Sequence, residues 1–300
     1  MSILVVGSVA LDSIKTPFGK RKDILGGSAT FFSIAASFFD KVNIVAAVGE
    51  DFPEKYLAVL KGRGIGLGGL EIKKGAKTFR WSGEYNYDLN TAHTIATHLN
   101  VFKDSDPKVP TSLRKPKVLF LANIDPDLQL SVLKQVSRPK IVACDSMNYW
   151  IETKRKSLMR LLKEIDIFLL NDGEARLLTG ETNLLKAAQK VLSYGPKAVI
   201  VKKGEHGVMY FSRTSHFISP AYLLETVRDP TGAGDTFAGG MIGYLSTVKD
   251  ISNPAICRGI VYGSILASFT VEDFSIDRLA KISMSDIRRR YDHFKKITRF

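Results

Sequence analysis

Six short apolar runs do most to limit what this chain can fold into: Ile3–Val6, Val42–Val48, Val118–Ala122, Ile141–Cys144, Ile167–Leu170 and Ala198–Val201. A strand that is apolar on both faces needs cover on both, as in a parallel sheet sandwiched between helices. Helical patterns lie between the runs. Leu158, Leu161, Leu162 and Ile165 share one helical face, as do Leu184, Leu185, Ala188, Val191 and Leu192. Asp51 stands where a helix N-cap would, with Pro53 in the first turn and Glu54 at capping-box spacing. Such strand–helix alternation predicts an α/β fold of three layers, αβα, around a mostly parallel central sheet. No internal repeat, low-complexity tract or long polar linker divides the 300 residues, so a single domain over residues 1–300 is expected.

One segment departs from that pattern. From Thr78 to Tyr87 the residues alternate, with Phe79, Trp81, Gly83, Tyr85 and Tyr87 on one side and Arg80, Ser82, Glu84, Asn86 and Asp88 on the other. A period of two marks a two-faced strand or hairpin outside the main core. Near the chain's end Ile287, Tyr291, Phe294 and Ile297 repeat at helical spacing, with Ser285 as the expected N-cap. The basic residues there, Arg288, Arg289, Arg290, Lys295, Lys296 and Arg299, are expected on the solvated side.

The net charge of +13 suits anionic small ligands, and the sequence offers no base-reading or stacking motif, so no nucleic-acid partner is expected. No run reaches the ~18 apolar residues of a membrane span, and the start lacks the order of a signal peptide. Cys144 and Cys257 lie far apart among apolar neighbours and read as unpaired thiols. These features lead to the expectation of a cytoplasmic protein without a membrane partner.

The strongest local signal is Asp229-Pro230-Thr231-Gly232-Ala233-Gly234-Asp235-Thr236-Phe237, followed by Ala238, Gly239 and Gly240. Small residues at 232 to 234 let consecutive amides converge where a helix opens, which makes an anion site. Asp235 beside that site is placed to take a proton from an attacking hydroxyl.

This string resembles the C-terminal signature of the ribokinase family, the PfkB-type carbohydrate kinases. Other segments agree in order along nearly the whole chain. They are Gly7-Ser8-Val9-Ala10-Leu11-Asp12, Gly26-Gly27, Val48-Gly49-Glu50-Asp51, Asn171-Asp172-Gly173-Glu174 and Val201-Lys202-Lys203-Gly204-Glu205-His206-Gly207. The resemblance implies a ribokinase-like fold with a small β-lid formed by about residues 13–24 and 71–100. It implies transfer of the γ-phosphoryl group of ATP to a hydroxyl of a small sugar, with a nucleoside as the alternative acceptor; a catalytically inactive regulatory relative is the alternative reading of the whole chain. Asp235 would be the base, and the amides of Gly232, Ala233 and Gly234 the anion hole. Asp12, Gly26, Gly27 and Asp235 would bind the acceptor. Asn171, Lys202, Gly204, Gly207, Thr231, Gly232 and Gly234 would hold ATP. Glu174 would order Mg²⁺ through water, and the position of Asp229 binds a monovalent cation such as K⁺ in some members. A homodimer formed through the lid is a further implication.

Two positions depart from the pattern. Where related sugar and nucleoside kinases carry an Asn four residues beyond the second hinge glycine, this chain has Phe31, which supplies no hydrogen bond and suits a core site. Arg80 is a candidate for binding a phosphate already on the substrate, or else a partner for Glu84. A Walker-type loop is absent from the sequence, and Gly64, Gly66 and Gly69 follow a helical rather than a strand pattern, so neither P-loop nor dinucleotide binding is indicated.

Overall fold

A computed structural model describes residues 2–103 and 105–299. Among them the strands, in chain order, are β1 (Ile3–Val6), β2 (Ala10–Thr16), β3 (Gly19–Gly26), β4 (Val42–Gly49), β5 (Gly66–Lys73), β6 (Arg80–Tyr85), β7 (Ala92–His98), β8 (Val118–Leu121), β9 (Ile141–Asp145), β10 (Ile167–Asn171), β11 (Ala198–Lys202), β12 (Val208–Ser212) and β13 (His216–Ser219). All six apolar runs are strands of one nine-stranded sheet, ordered β13-β12-β11-β10-β9-β8-β1-β4-β5. It is parallel from β11 to β5, and β12 and β13 close one edge antiparallel.

Each buried strand feeds two cores. In β1, Ile3 and Val5 join one cluster while Leu4 and Val6 join the other, all at most 1% exposed. The first cluster is covered by α1 (Ser28–Ala36) and α2 (Glu54–Gly62), and by three later helices that return to that face near the chain's end. The opposite cluster is covered by α3 (Pro126–Gln135), α4 (Asn148–Thr153), α5 (Arg155–Leu162), α6 (Asp172–Thr179) and α7 (Leu184–Ser193). The three that return are α8 (Ala233–Thr247), α9 (Asn253–Thr270) and α10 (Met284–Ile297). The expected three-layer αβα architecture is therefore present.

The chain leaves β1 for β4 on one side and later returns to β8 on the other. That reversal opens a crevice at the C-terminal ends of β1 and β8, the usual ligand position in such sheets. Over this end lies a second, four-stranded sheet, β3-β2-β6-β7, whose central pair β2/β6 is parallel. It takes Ala10–Gly26 and Arg80–His98, so it starts before residue 13, and residues 71–73 belong to β5 of the large sheet instead.

Three local expectations give way to tertiary contacts. Asp51 does not cap α2, whose N-cap is Pro53 with no side-chain cap. Its carboxylate instead accepts from the Thr78 amide and hydroxyl, each at 2.7 Å, and pairs with Arg80 at 2.8 Å. The N-cap of α10 is Ser283, not Ser285, with Asp286 completing a capping box. Arg290 is not on the solvated side. Its guanidinium lies 3.5 Å from the Phe269 ring centroid and 2.8 Å from Glu272.

Candidate active site

The parallel register sets the site's floor. Leu169 of β10 lies opposite Asp145, and Asn171 lies opposite Lys202, so Asp145, Asn171 and Lys202 all end their strands at the same edge of the sheet. Lys202 donates to Asp145 at 2.8 Å, and both are largely buried. Asn171 turns straight into α6. Its side chain accepts from the Glu174 amide at 2.7 Å, and the Glu174 carboxylate accepts from the Asn171 amide at 2.7 Å. The motif is thus a complete capping box, which leaves the Asn171 side-chain N–H₂ and one Glu174 oxygen for other partners.

The opposite wall is the glycine-rich turn. Gly232 is the N-cap of α8 at φ 76°, in the left-handed region, and no side chain caps this helix. A Cβ at Gly232 would stand 2.4 Å from three atoms of the Phe31 ring. Phe31 is 1% exposed, so it packs in the core as expected and forms the wall behind the turn. A Cβ at Gly234 would stand 3.1 Å from the Lys202 ammonium, which places that charge beside the turn's amides. The Ala233 amide, expected to join the anion hole, donates instead to the Pro230 carbonyl at 3.1 Å; the Gly232 and Gly234 amides, the helix dipole and the lysine make this a place for an anion.

Asp235 follows on the first turn of α8. Burial pushes its carboxyl up to about 7, with Asp145 adding to the rise and Lys202 opposing it. Asp12, at 5% exposure on β2, is also pushed up to about 7, first by burial and then by Asp229 and Asp235, against the Gly27 amide. Gly26 permits that position, since a Cβ there would stand 1.9 Å from an Asp12 oxygen. A buried carboxylate and a half-buried one, Asp12 and Asp235, beside an anion site form a cleft able to hold a hydroxyl-bearing ligand and remove its proton.

Asp229 shapes the turn from below. It is fully buried, and its two oxygens accept from the Thr231 amide at 2.9 Å and the Ser275 amide at 3.3 Å. Gly204 and Gly207 belong to the β11–β12 connection, where the Lys203 amide donates to the Gly207 carbonyl at 2.8 Å. Arg80 stands apart from this assembly. Its guanidinium is taken by Asp51 at 2.8 Å and Asp23 at 3.2 Å, and Glu84 pairs with Lys15, so the expected pairing of Arg80 with Glu84 is not formed.

Asp145 was not foreseen. Burial pushes Glu174 up, Lys202 lowers it, and Asp145 raises it again; Asp145, Glu174 and Asp235 all act on Lys202. Three carboxylates around one ammonium leave an excess of negative charge. The one available signal was a carboxylate closing a fully buried strand, Ile141–Asp145. Tyr85 is the other addition: the Thr231 hydroxyl donates to its phenol at 3.2 Å, which brings the small sheet onto the glycine turn.

Comparison with known proteins agrees with this geometry. The chain is 28% identical over 249 residues to a cytidine kinase of Thermococcus kodakarensis, covering 81% of this chain and 88% of the relative. Among solved structures it is similar to a nucleoside kinase of Burkholderia thailandensis in complex with inosine, with a TM-score of 0.82 at 19% identity and 97% of both chains covered. A putative ribokinase II from E. coli in complex with ATP and Mg²⁺ aligns with a TM-score of 0.80 at 19% identity over 97% of this chain and 99% of that one. A profile of pfkB family carbohydrate kinases matches residues 4–274, nearly the full length over which the two walls of the cleft are distributed, and the chain accordingly belongs to that family.

Proposed function

We propose that this protein transfers the γ-phosphoryl group of ATP to a hydroxyl of a nucleoside or small sugar, with Asp235 as the base. One observation carries the reading: a carboxyl held near 7 directly follows the uncapped left-handed turn at the start of α8, in a cleft shared with Asp12 and Lys202. Asp12 accepts a hydrogen bond from an acceptor hydroxyl and fixes its orientation. Asp235 removes the proton of the reacting hydroxyl as the oxygen attacks phosphorus. The amides of Gly232 and Gly234 and the Lys202 ammonium stabilise the charge that gathers on the phosphoryl oxygens. Asn171, Thr231 and the Gly204–Gly207 connection line the nucleotide side.

Magnesium fits the donor set. Asp145, Glu174 and Asp235 outnumber Lys202, and hard carboxylate oxygens suit an ion that keeps most of its water. Among the described residues no group of three or more His, Cys, Asp or Glu is arranged as a metal cage, so Glu174 and Asp145 would act on the ion through its water shell. When bound, the ion neutralises phosphate charge. Asp229 remains the proposed neighbour of a monovalent cation.

The acceptor is proposed to be a nucleoside before a free sugar, because the cytidine kinase aligns over 81% of this chain. A substrate carrying its own phosphate loses its support, since Arg80 is occupied by Asp51 and Asp23. Closure of the small sheet as a lid would exclude water from the transfer. Its outward Phe18, Tyr87 and Ile95 offer a surface for a second copy, testable by light scattering. A reducing, cytoplasmic setting accords with the unpaired Cys144 and Cys257.

The test is ADP release from Mg-ATP across a panel of nucleosides and sugars, with Asp235→Asn as control. One acceptor class should stimulate release by the native protein, and the variant should fold yet lose ~10²–10⁴-fold in turnover. An equally active variant would remove Asp235 from the role of base.

A further inference from the structure

The hairpin formed by β6 and β7 touches both sides of the proposed phosphoryl-transfer site. At the end of β6, the Tyr85 phenol accepts from the Thr231 hydroxyl at 3.2 Å, a contact between residues 146 apart in sequence. At the hairpin tip, the Asn90 side chain donates to Glu205 at 3.2 Å, and a Cβ at Gly204 would stand 3.3 Å from the Asn90 side-chain oxygen. The start of β6 is fixed separately by Arg80, paired with Asp51 and Asp23. β6 also runs beside β2 in parallel register, with Trp81 opposite Asp12. One strand therefore connects the acceptor carboxylate, the glycine turn and, through the tip, the β11–β12 connection.

We propose that Tyr85 is a positioning residue whose phenol seats the small sheet on the Thr231–Asp235 turn, so that the acceptor strand and the anion hole are aligned only when the hairpin is down. This rests on the kinase reading given above. The contact has the features of a latch rather than of packing alone. It is a single hydroxyl pair between the end of β6 in the small sheet and the loop that opens α8, and both residues are half-buried. Burial and the charges of Asp229, Asp12 and Asp235 keep Tyr85 protonated, so the hydroxyl pair persists across the working pH range. Removing the phenol oxygen keeps the ring and its packing but loses the alignment.

The experiment compares Tyr85→Phe, Thr231→Val and the double variant. With an acceptor that supports native turnover, Tyr85→Phe should lower kcat by about three- to tenfold, the worth of one hydrogen bond expressed in the transition state. The acceptor KM should change by less than about twofold, and more ATP should be hydrolysed per acceptor phosphorylated. The double variant should be no worse than Thr231→Val, because both remove the same contact. Additive losses, or a loss confined to KM, would overturn the proposal. Amide hydrogen exchange at residues 231–235 gives a second readout that needs no turnover. It should quicken in Tyr85→Phe without a fall in Tm, and unchanged exchange would refute the latch. If the native protein turns over no acceptor while Tyr85→Phe still exchanges faster than native, the kinase reading fails and the latch stands.

Discussion

Gly232→Ala is the substitution whose consequences can be worked furthest. At φ 76° an L-residue pays for its Cβ against the following carbonyl, a cost of about 1–2 kcal/mol. The new methyl would also stand 2.4 Å from the Cγ, Cδ2 and Cε2 atoms of Phe31, where ordinary contact needs roughly 1 Å more. Phe31 cannot swing away, because it is 1% exposed, and crowding of a tight core adds about 1–3 kcal/mol. The sum, about 2–5 kcal/mol, should appear in urea unfolding as a lower midpoint with an unchanged slope.

Function should suffer more than stability. The turn can relieve the clash only by moving the amides that precede Asp235, and losing an aligned oxyanion donor costs ~10²–10³-fold in turnover. Phe31→Ala separates the two causes. Alone it should cost about 3–5 kcal/mol by leaving a cavity. Combined with Gly232→Ala it should cost less than the two added, because the ring that the methyl strikes is gone. A Gly232→Ala protein within about 0.5 kcal/mol of native stability and fully active would refute the argument, and strict additivity would refute the Phe31 contact.

The remaining predictions follow from charge. Since the base must be ionised and its pKa stands near 7, turnover should rise with pH through about 7 and level off above, with Lys202→Met moving this limb to higher pH because Lys202 holds Asp235 down. Asp12 and Asp235 are raised above their unfolded values, so the stability they contribute is complete below about pH 4 and is lost as pH rises through 7, an effect readable as a falling Tm. Glu174→Gln keeps a residue able to complete the capping box of α6 but removes the charge, so the Mg²⁺ concentration for half-maximal rate should rise while Tm holds; an unchanged metal requirement would leave Glu174 a cap only. Arg290→Ala should destabilise by ~2 kcal/mol through lost contacts with Phe269 and Glu272, whereas exposed Arg288→Ala should stay within about 0.5 kcal/mol by the same denaturation assay.

What could be read before folding was what depends on short stretches of chain. The apolar runs announced the strands because burial on both faces leaves no polar position to disguise them. The glycine turn announced itself because left-handed backbone and converging amides need small residues in sequence. Strands at the sheet edges were harder: β5 is Gly-Leu-Gly-Gly-rich at one edge, and β13 at the other is largely exposed. Asp51 looked like a helix cap because its true partners, Thr78 and Arg80, lie 27 and 29 residues away. Asp145 was hidden for the opposite reason. It closes an ordinary apolar strand, and only Lys202, 57 residues later, gives its charge a purpose.

The closing contact of the site joins segments 250 residues apart in the chain. Ser275 donates its hydroxyl to the Leu25 carbonyl across 250 residues, while its amide holds Asp229 beneath the glycine turn. A ribosome therefore releases the strand bearing Asp12 long before the turn bearing Asp235 exists. Until α8 and the segment around Ser275 have emerged, the N-terminal strands carry a buried-type carboxylate and a core face that α1 and α2 cover only in part. Growing chains of this protein carry incomplete sheets in need of shelter until Ser275 has emerged, and only then can the site close.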